Sequence, residues 1–461
     1  MQQTHELSAT ELTAAYRTGD LSPVDALKAA TARIEDKDAL HRGMYVVDTD
    51  GATRAARASE ERWRRGQQLG PLDGVPVTLK ENTPVIGFHQ SLGTAARHPR
   101  PAEVNSPVTD RLLEAGAVIV GSTTMPDLSG LGSGVSSRHG TARNPWNPAW
   151  NTGGSSSGAA VATAFGYGAI NIGTDIGGSI RLPASFTGVF GFKPSYGRVP
   201  ILDTYLGRVA GPMTRTVADA AAAMTYLSRP DRRDCASLPA QNIDWTGLDL
   251  EVTGLRIGLC FDVAPGTRVD PEVAAAVSRA ADRFAEAGAE IIPIPAYLSR
   301  DYLSEAQLPF MAAHQWSQLN DPALIDDLSK AYQPMVEGAR RVQEMSPLDV
   351  IRAYDLIGPM VSETVQTLDA YDLVLSPVCG SVTGPAESMM TEELTGANFT
   401  SPLNVAGTPA ASINCGFTTQ GKPIGLQIAA TRFEDLRVLQ ASAWYEGHRG
   451  EGATPDWSRL I

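Results

Sequence analysis

The sequence predicts an α/β fold with a large mixed, mostly parallel central sheet covered by helices on both faces. Three observations predict it. Short apolar, β-branched runs recur at residues 75–79, 117–120, 169–172, 255–260, 291–294, 373–376, 411–414 and 424–428. Helical patterns separate many of them, at 107–115, 216–227, 271–287 and 434–445, and strands alternating with helices favour a parallel sheet. The chain has 461 residues, 43% of them hydrophobic, which is enough to bury a sizeable core.

The elements follow in order. Residues 1–66 read as helices: Ser8-Ala9-Thr10-Glu11 is a capping box, Ser22-Pro23 starts a second helix, and a third runs over 51–65 until Gly66 stops it. Arg62, Arg64 and Arg65, interleaved with Glu60 and Glu61, read as a solvated helix face. The strand-helix alternation begins at residue 75. The best linker is 228–249, but strand-helix units continue beyond it, so a single domain over 1–461 is expected. Within it, 69–220 forms the catalytic core and 228–400 a variable, substrate-side region. The irregular stretch 380–399 has the length of a lid.

Composition excludes several classes. Lys and Arg total 38 against 51 acidic residues, a net charge of −13, which suits neither nucleic acid nor an anionic membrane. The four cysteines, Cys235, Cys260, Cys379 and Cys415, form no C-x-x-C pair, so neither a disulfide framework nor a metal site is expected. No run approaches the ~18 apolar residues of a membrane span, and a cytoplasmic enzyme is the expectation.

The chemistry concentrates between Asn151 and Pro183. Gly153-Gly154-Ser155-Ser156-Ser157-Gly158 abuts the apolar run 159–165, and Gly173-Thr174-Asp175-Ile176-Gly177-Gly178-Ser179-Ile180-Arg181 follows the run 169–172. Glycines beside apolar runs serve backbone shapes or close approach rather than linkers. Walker A, G-x-G-x-x-G and S-x-x-K motifs are absent. Gly154-x-Ser156-x-Gly158 matches a nucleophile elbow, but no strand precedes it, and the histidines downstream, His314 and His448, lie in no recognisable motif. A neutral lysine activates serine as well. Of six lysines, Lys80 ends the strand 75–79, where burial would depress its pKa, and Lys193 reads as structural.

Gly153-Gly154-Ser155-Ser156, followed by Gly177-Gly178-Ser179-Ile180-Arg181, resembles the amidase signature family of serine hydrolases. So do Gly70-Pro71-Leu72-Asp73-Gly74-Val75-Pro76-Val77 leading into Lys80-Glu81-Asn82, Arg143-Asn144-Pro145-Trp146-Asn147-Pro148, and Gly407-Thr408-Pro409-Ala410 with Pro423-Ile424-Gly425-Leu426-Gln427. The resemblance implies that Ser179 is the nucleophile, that Ser155, in a cis peptide after Gly154, bridges, and that Lys80 is the base. It further implies an oxyanion hole from the backbone N–H groups of Ile176, Gly177, Gly178 and Ser179, and a substrate pocket touching Met125, Gly153 and Gly154. No metal or cofactor is implied. Asp175 and Arg181 read as scaffold. Ser157, Thr123-Thr124 and Asp73 depart from the commonest family wording without touching the triad.

The implied substrate is a small-molecule amide, anilide or carbamate (urethane) ester, with a homodimer as the candidate assembly. Phe310, Met311, Trp316, Met389, Met390 and Phe399 are candidates for an apolar pocket wall. The alternatives are the glutaminase component of a tRNA-dependent amidotransferase and a Ser-His-Asp hydrolase centred on Ser156.

Overall fold

The computed structural model describes residues 3–388 and 397–461. One sheet of eleven strands draws on segments from Met44 to Ala429. Its strands are β1 (Met44–Val47), β2 (Pro76–Lys80), β3 (Val118–Thr123), β4 (Ile170–Asp175), β5 (Phe190–Lys193), β6 (Val209–Thr214), β7 (Arg256–Cys260), β8 (Glu290–Ile294), β9 (Leu373–Pro377), β10 (Ala410–Phe417) and β11 (Pro423–Ala429). Across the sheet they run β1-β3-β2-β4-β6-β5-β10-β11-β9-β7-β8.

The expected large mixed sheet is present, but its pairings are less parallel than expected. Four are parallel and six antiparallel. The parallel pairs form two groups, β3-β2-β4 and β9-β7-β8, with an antiparallel centre between them. That centre contains two strands the apolar runs do not announce. β6 carries Gly211-Pro212, which reads as a turn, and β5 is only Phe-Gly-Phe-Lys. β10 and β11 are joined by a short turn near Gly421, and so short a connection produces antiparallel neighbours.

Helices cover both faces. Those of the N-terminal part are α1 (Ala9–Thr18), α2 (Pro23–His41) and α3 (Thr49–Arg64). The capping boxes at Ser8 and Ser22 form as the sequence predicts. Arg64 and Arg65 are solvated and paired with Glu60 and Glu61, whereas Arg62 turns inward onto buried Asp73 at 2.8 Å, so the basic run is solvated only in part.

Strand periodicity assigns the two faces. Val77, Leu79, Ile119, Ile170, Ile172, Ile413, Leu426 and Ile428 share one aliphatic core with helices α4 (Pro107–Glu114), α7 (Val217–Leu227), α8 (Pro271–Glu286) and α14 (Asp435–Gly447). Burial of this kind contributes about 25 cal/mol per Å² of apolar surface. Across β2 and β4 the opposite face is small or polar, with Thr78, Lys80, Asn171 and Gly173 on neighbouring strands. It packs against α5 (Ser157–Phe165), while α6 (Arg181–Thr187) lies over β5, β10 and β11. α5 is buried all round, so its sequence carries no polar stripe.

A helical group fills much of the variable region: α9 (Leu308–Leu319), α10 (Gln333–Arg340), α11 (Pro347–Asp355) and α12 (Ile357–Leu368), followed later by α13 (Ala397–Val405). Among the described residues no helix is long and apolar enough to cross a membrane. Cys235, Cys260 and Cys415 stand outside any disulfide, and of the four cysteines only Cys235 is exposed.

Candidate active site

Lys80 is the last residue of β2 and shares the polar face with Thr78, whose hydroxyl donates to Asn171 Oδ1 at 2.7 Å. The alternation that sends Val77 and Leu79 into the aliphatic core sends Lys80 toward the start of α5. There its Nζ meets three hydroxyl oxygens: Ser155 at 2.7 Å, Thr174 at 3.0 Å and Ser156 at 3.2 Å. Lys80 is fully buried, and no carboxylate among the described residues is within ion-pair distance of it. Burial, helped by the positive charge of Arg208, drives its pKa well below the ordinary lysine value, against the opposing pull of Asp175 and Glu81. The shift favours the neutral amine, the form able to accept a proton.

The glycine-serine segments meet over this amine. The Gly154–Ser155 peptide is cis, as the family resemblance implies. Ser155 is buried beside Lys80, and the Ser156 N–H donates to the Ser179 carbonyl at 3.1 Å, tying the two segments together. Ser179 is partly exposed and lines a cavity of about 410 Å³, together with Gly154, Ile176 and Gly177.

Asp175 fixes the loop that carries Ser179. Its carboxylate accepts from the N–H groups of Gly178 at 2.7 Å and Ile180 at 3.1 Å, and from Arg181 through two bonds of 3.0 Å. Burial alone would raise the Asp175 pKa. Arg181, aided by Lys193 and Asn404, outweighs it and holds the carboxyl well below the usual range. Arg181 also reaches Gln427 at 2.8 Å and Asn404 at 2.5 Å, anchoring the loop to β11 and α13. Asp175 and Arg181 are thus scaffold in geometry, as their sequence setting predicts.

The same carboxylate changes the expected oxyanion hole. The Gly178 N–H is occupied by Asp175, whereas those of Ile176, Gly177 and Ser179 have no acceptor among the described residues. Gly178 serves the backbone instead: its φ is +119°, and a Cβ there would lie 2.6 Å from Thr400 Oγ1.

The other expected site residues divide. Met311 lines the cavity as expected. Met125 is 1% exposed and stands behind the wall, 3.6 Å from the hydroxyl of Ser129, which does line it. Gly153 is buried behind Gly154, with its N–H on Asn151 Oδ1. Phe399 belongs to the core beside β9 and β11. Trp316 packs under Arg340, and Phe310 against Tyr354. Met389 and Met390 lie outside the described residues. The part of the expected lid that is described, around Gly384 to Ser388, joins Asn151, Arg143 and Thr141 rather than the cavity.

Two walls of the cavity lie outside the glycine-serine segments. One is Ser129, Gly130, Leu131 and Gly132, where Leu128 and Ser129 take left-handed φ values of +48° and +57°. The other is Leu303, Leu308 and Met311 with Met335, Val342 and Met345, from α9 and the turn before it and from α10 and the turn after it. The repeat of apolar residues along α9 reads equally well as helix core, and only the tertiary placement distinguishes the two. Arg341 is the one charged side chain on the wall among the described residues.

Ser156 is not an alternative nucleophile. It is fully buried and off the cavity wall, its hydroxyl donates to the Thr174 carbonyl at 3.1 Å, and its basic neighbour is Lys80. His448 stacks on Trp444 far down the chain, just past α14, and His314 packs against Tyr205. Lys193, the other buried lysine, donates to the carbonyls of Pro194 and Thr408.

A family model described as Amidase matches residues 25–439. An acylamidase from Rhodococcus erythropolis is 32% identical, over 97% of this chain and 96% of its own. A glutamyl-tRNA(Gln) amidotransferase chain from Synechococcus sp. (strain CC9605) is 31% identical, over 93% of this chain and 94% of its own. Among solved structures, a bacterial aryl acylamidase of the amidase signature enzymes superposes with a TM-score of 0.90 at 28% identity, covering 99% of this chain and 98% of that one.

Proposed function

This chain belongs to the amidase signature family of hydrolases acting on amides, and on that premise we propose that it cleaves aryl or alkyl amides through an acyl-enzyme on Ser179. The observation that carries the proposal is the 2.7 Å contact between the Lys80 amine and the Ser155 hydroxyl, directly beneath a cavity walled by Ser179. Neutral Lys80 draws a proton from Ser155, and Ser155 draws one from Ser179 as its Oγ attacks the carbonyl carbon. The N–H groups of Ile176, Gly177 and Ser179 receive the developing oxyanion, and such donors are each worth about 3 kcal/mol. Ser155 returns a proton to the leaving amine, and water then cleaves the ester in a second pass through the same relay.

The substrate class follows from the wall. Leu131, Leu182, Leu303, Leu308, Met311, Met335, Val342 and Met345 make the cavity predominantly apolar, which suits an aryl or alkyl group on one side of the scissile bond. An anilide fits this description, and so does a carbamate ester, whose carbonyl is attacked in the same way. A second reading, the glutaminase of an amidotransferase, is favoured by the 31% identical amidotransferase chain. The apolar wall weighs against it, because glutamine carries two charges and a polar amide on a short chain. The test is amine release from a panel of anilides, primary amides, carbamate esters and glutamine, each with wild type and Ser179→Ala. Anilide turnover that vanishes in the variant supports the proposal; glutamine as the one good substrate overturns its substrate class.

A further inference from the structure

A small recess of about 20 Å³ opens beside the catalytic cavity, sharing Ser129, Ile176, Met311 and Gln315 with it. That volume suits a single oxygen atom or water. Its other walls come from Leu128, Tyr205, Phe310, His314 and Gln318. On α9, Met311, His314, Gln315 and Gln318 are spaced i, i+3, i+4 and i+7, so one helix face supplies both part of the cavity wall and the polar groups of the recess.

The recess mixes apolar walls with polar groups, and one of those groups lacks a partner among the described residues. His314 Nε2 is buried and has no hydrogen-bond partner among the described residues. Buried polar nitrogens are nearly always paired, and an exception calls for a water, an ion or a ligand. The imidazole is held against the Tyr205 ring, centroids 4.5 Å apart, and the Arg208 guanidinium lies 5.4 Å from the Tyr205 centroid. Burial and Arg208 both lower the His314 pKa, so the ring is neutral at neutral pH. A hydroxyl lies on the same recess. The Ser129 oxygen receives an N–H from Asn82 at 3.1 Å, and among the described residues its own proton has the Met125 sulfur alone, at 3.6 Å. The positive charge of Arg208 favours an electron-rich occupant over another donor.

We propose that this recess is an oxygen-acceptor subsite, in which His314 and Ser129 bind a carbonyl or carboxylate oxygen that the substrate carries in addition to its scissile amide. The substrate class narrows accordingly, to an apolar amide bearing a second carbonyl or carboxylate within reach of the recess. This rests on the amide-hydrolase reading and deepens it.

The test compares matched amides. On the acyl side these are the 4-oxopentanoyl, succinyl and 4-methylpentanoyl 4-nitroanilides; on the amine side, hexanoyl amides of 4-aminobenzamide, 4-aminobenzoate and 4-ethylaniline. In at least one series wild type should favour the oxygen-bearing member by about 10- to 100-fold in kcat/KM over its hydrocarbon match. His314→Phe should collapse that ratio, His314→Gln, which keeps a donor, should retain most of it, and Ser129→Ala should reduce it if His314→Phe fails to fold. A preference for carboxylate over ketone or carboxamide identifies the anionic source, and the reverse the neutral one. No preference in either series, or a ratio that His314→Phe leaves at its wild-type value, overturns the subsite. Turnover of the hydrocarbon amides by wild type tests the hydrolase reading separately.

Discussion

The amine of Lys80 lies 2.7 Å from the hydroxyl of Ser155, and neither group has appreciable contact with solvent. A charged ammonium in that position would lack a carboxylate and lose its water, so the pair is built around a neutral base.

The first prediction concerns pH. Because burial depresses the Lys80 pKa, the protonated, inactive form prevails only below the folded pKa, and kcat/KM should rise with pH through that value. The limb should lie well below the pH at which an ordinary lysine titrates. Lys80→Met should remove the limb and most of the rate. A pH-rate profile of the residual activity checks this, and an unchanged limb in the variant would assign it to another group.

A second prediction concerns the scaffold. Asp175 and Arg181 are fully buried and paired through two bonds of 3.0 Å. Removing one partner of such a pair typically costs about 3–5 kcal/mol, because the other is left charged and dry. Arg181→Leu should therefore lower stability by about that amount in chemical denaturation at neutral pH. The Asp175 pKa is depressed in the folded state, so the pair's stabilisation is present above the unfolded carboxyl pKa and is lost as pH falls toward the folded one. The variant should accordingly lose less stability than wild type on acidification.

The third prediction is local. Gly178 has φ +119° and no room for a Cβ beside Thr400. Gly178→Ala should displace the amides that flank Ser179 and lower kcat by about 10²–10³-fold, the cost of losing one oxyanion donor. KM should change much less. Steady-state kinetics separates the two, and a dominant rise in KM would place the damage in binding instead.

Much of this site was legible in the sequence because its chemistry is carried by residue types and short spacings. Lys80 at the end of an apolar run, the serines among glycines, and Asp175 and Arg181 flanking Ser179 all came together in space. The amide of Gly178 did not follow the pattern, since a backbone N–H has no side-chain signature and Asp175 captures it through a contact that residue types alone do not announce. The antiparallel centre of the sheet was hidden for a related reason: Gly211-Pro212 in β6 mimics a turn, and its strand conformation is imposed by neighbours on both sides. His314 showed no motif and gains its meaning only from Tyr205 and Ser129, which are distant in the chain.

A fourth prediction follows from the cavity wall. Met311 and Met335 line it from two different helices. Truncating either to Ala removes roughly 1–3 kcal/mol of apolar contact for a substrate that reaches it, a change of about 10- to 200-fold in relative kcat/KM. Met311→Ala and Met335→Ala should therefore alter the ratio between long-chain and acetyl anilides. A constant ratio across both variants would move specificity to the Ser129–Gly132 wall.

The most direct measurement is the site of covalent modification by a serine-directed fluorophosphonate, read by peptide mass spectrometry. The account predicts a single adduct on Ser179, formed faster as pH rises and lost in Ser179→Ala. An adduct on Ser155 or Ser156, or undiminished amide turnover by a folded Ser179→Ala variant, would contradict it.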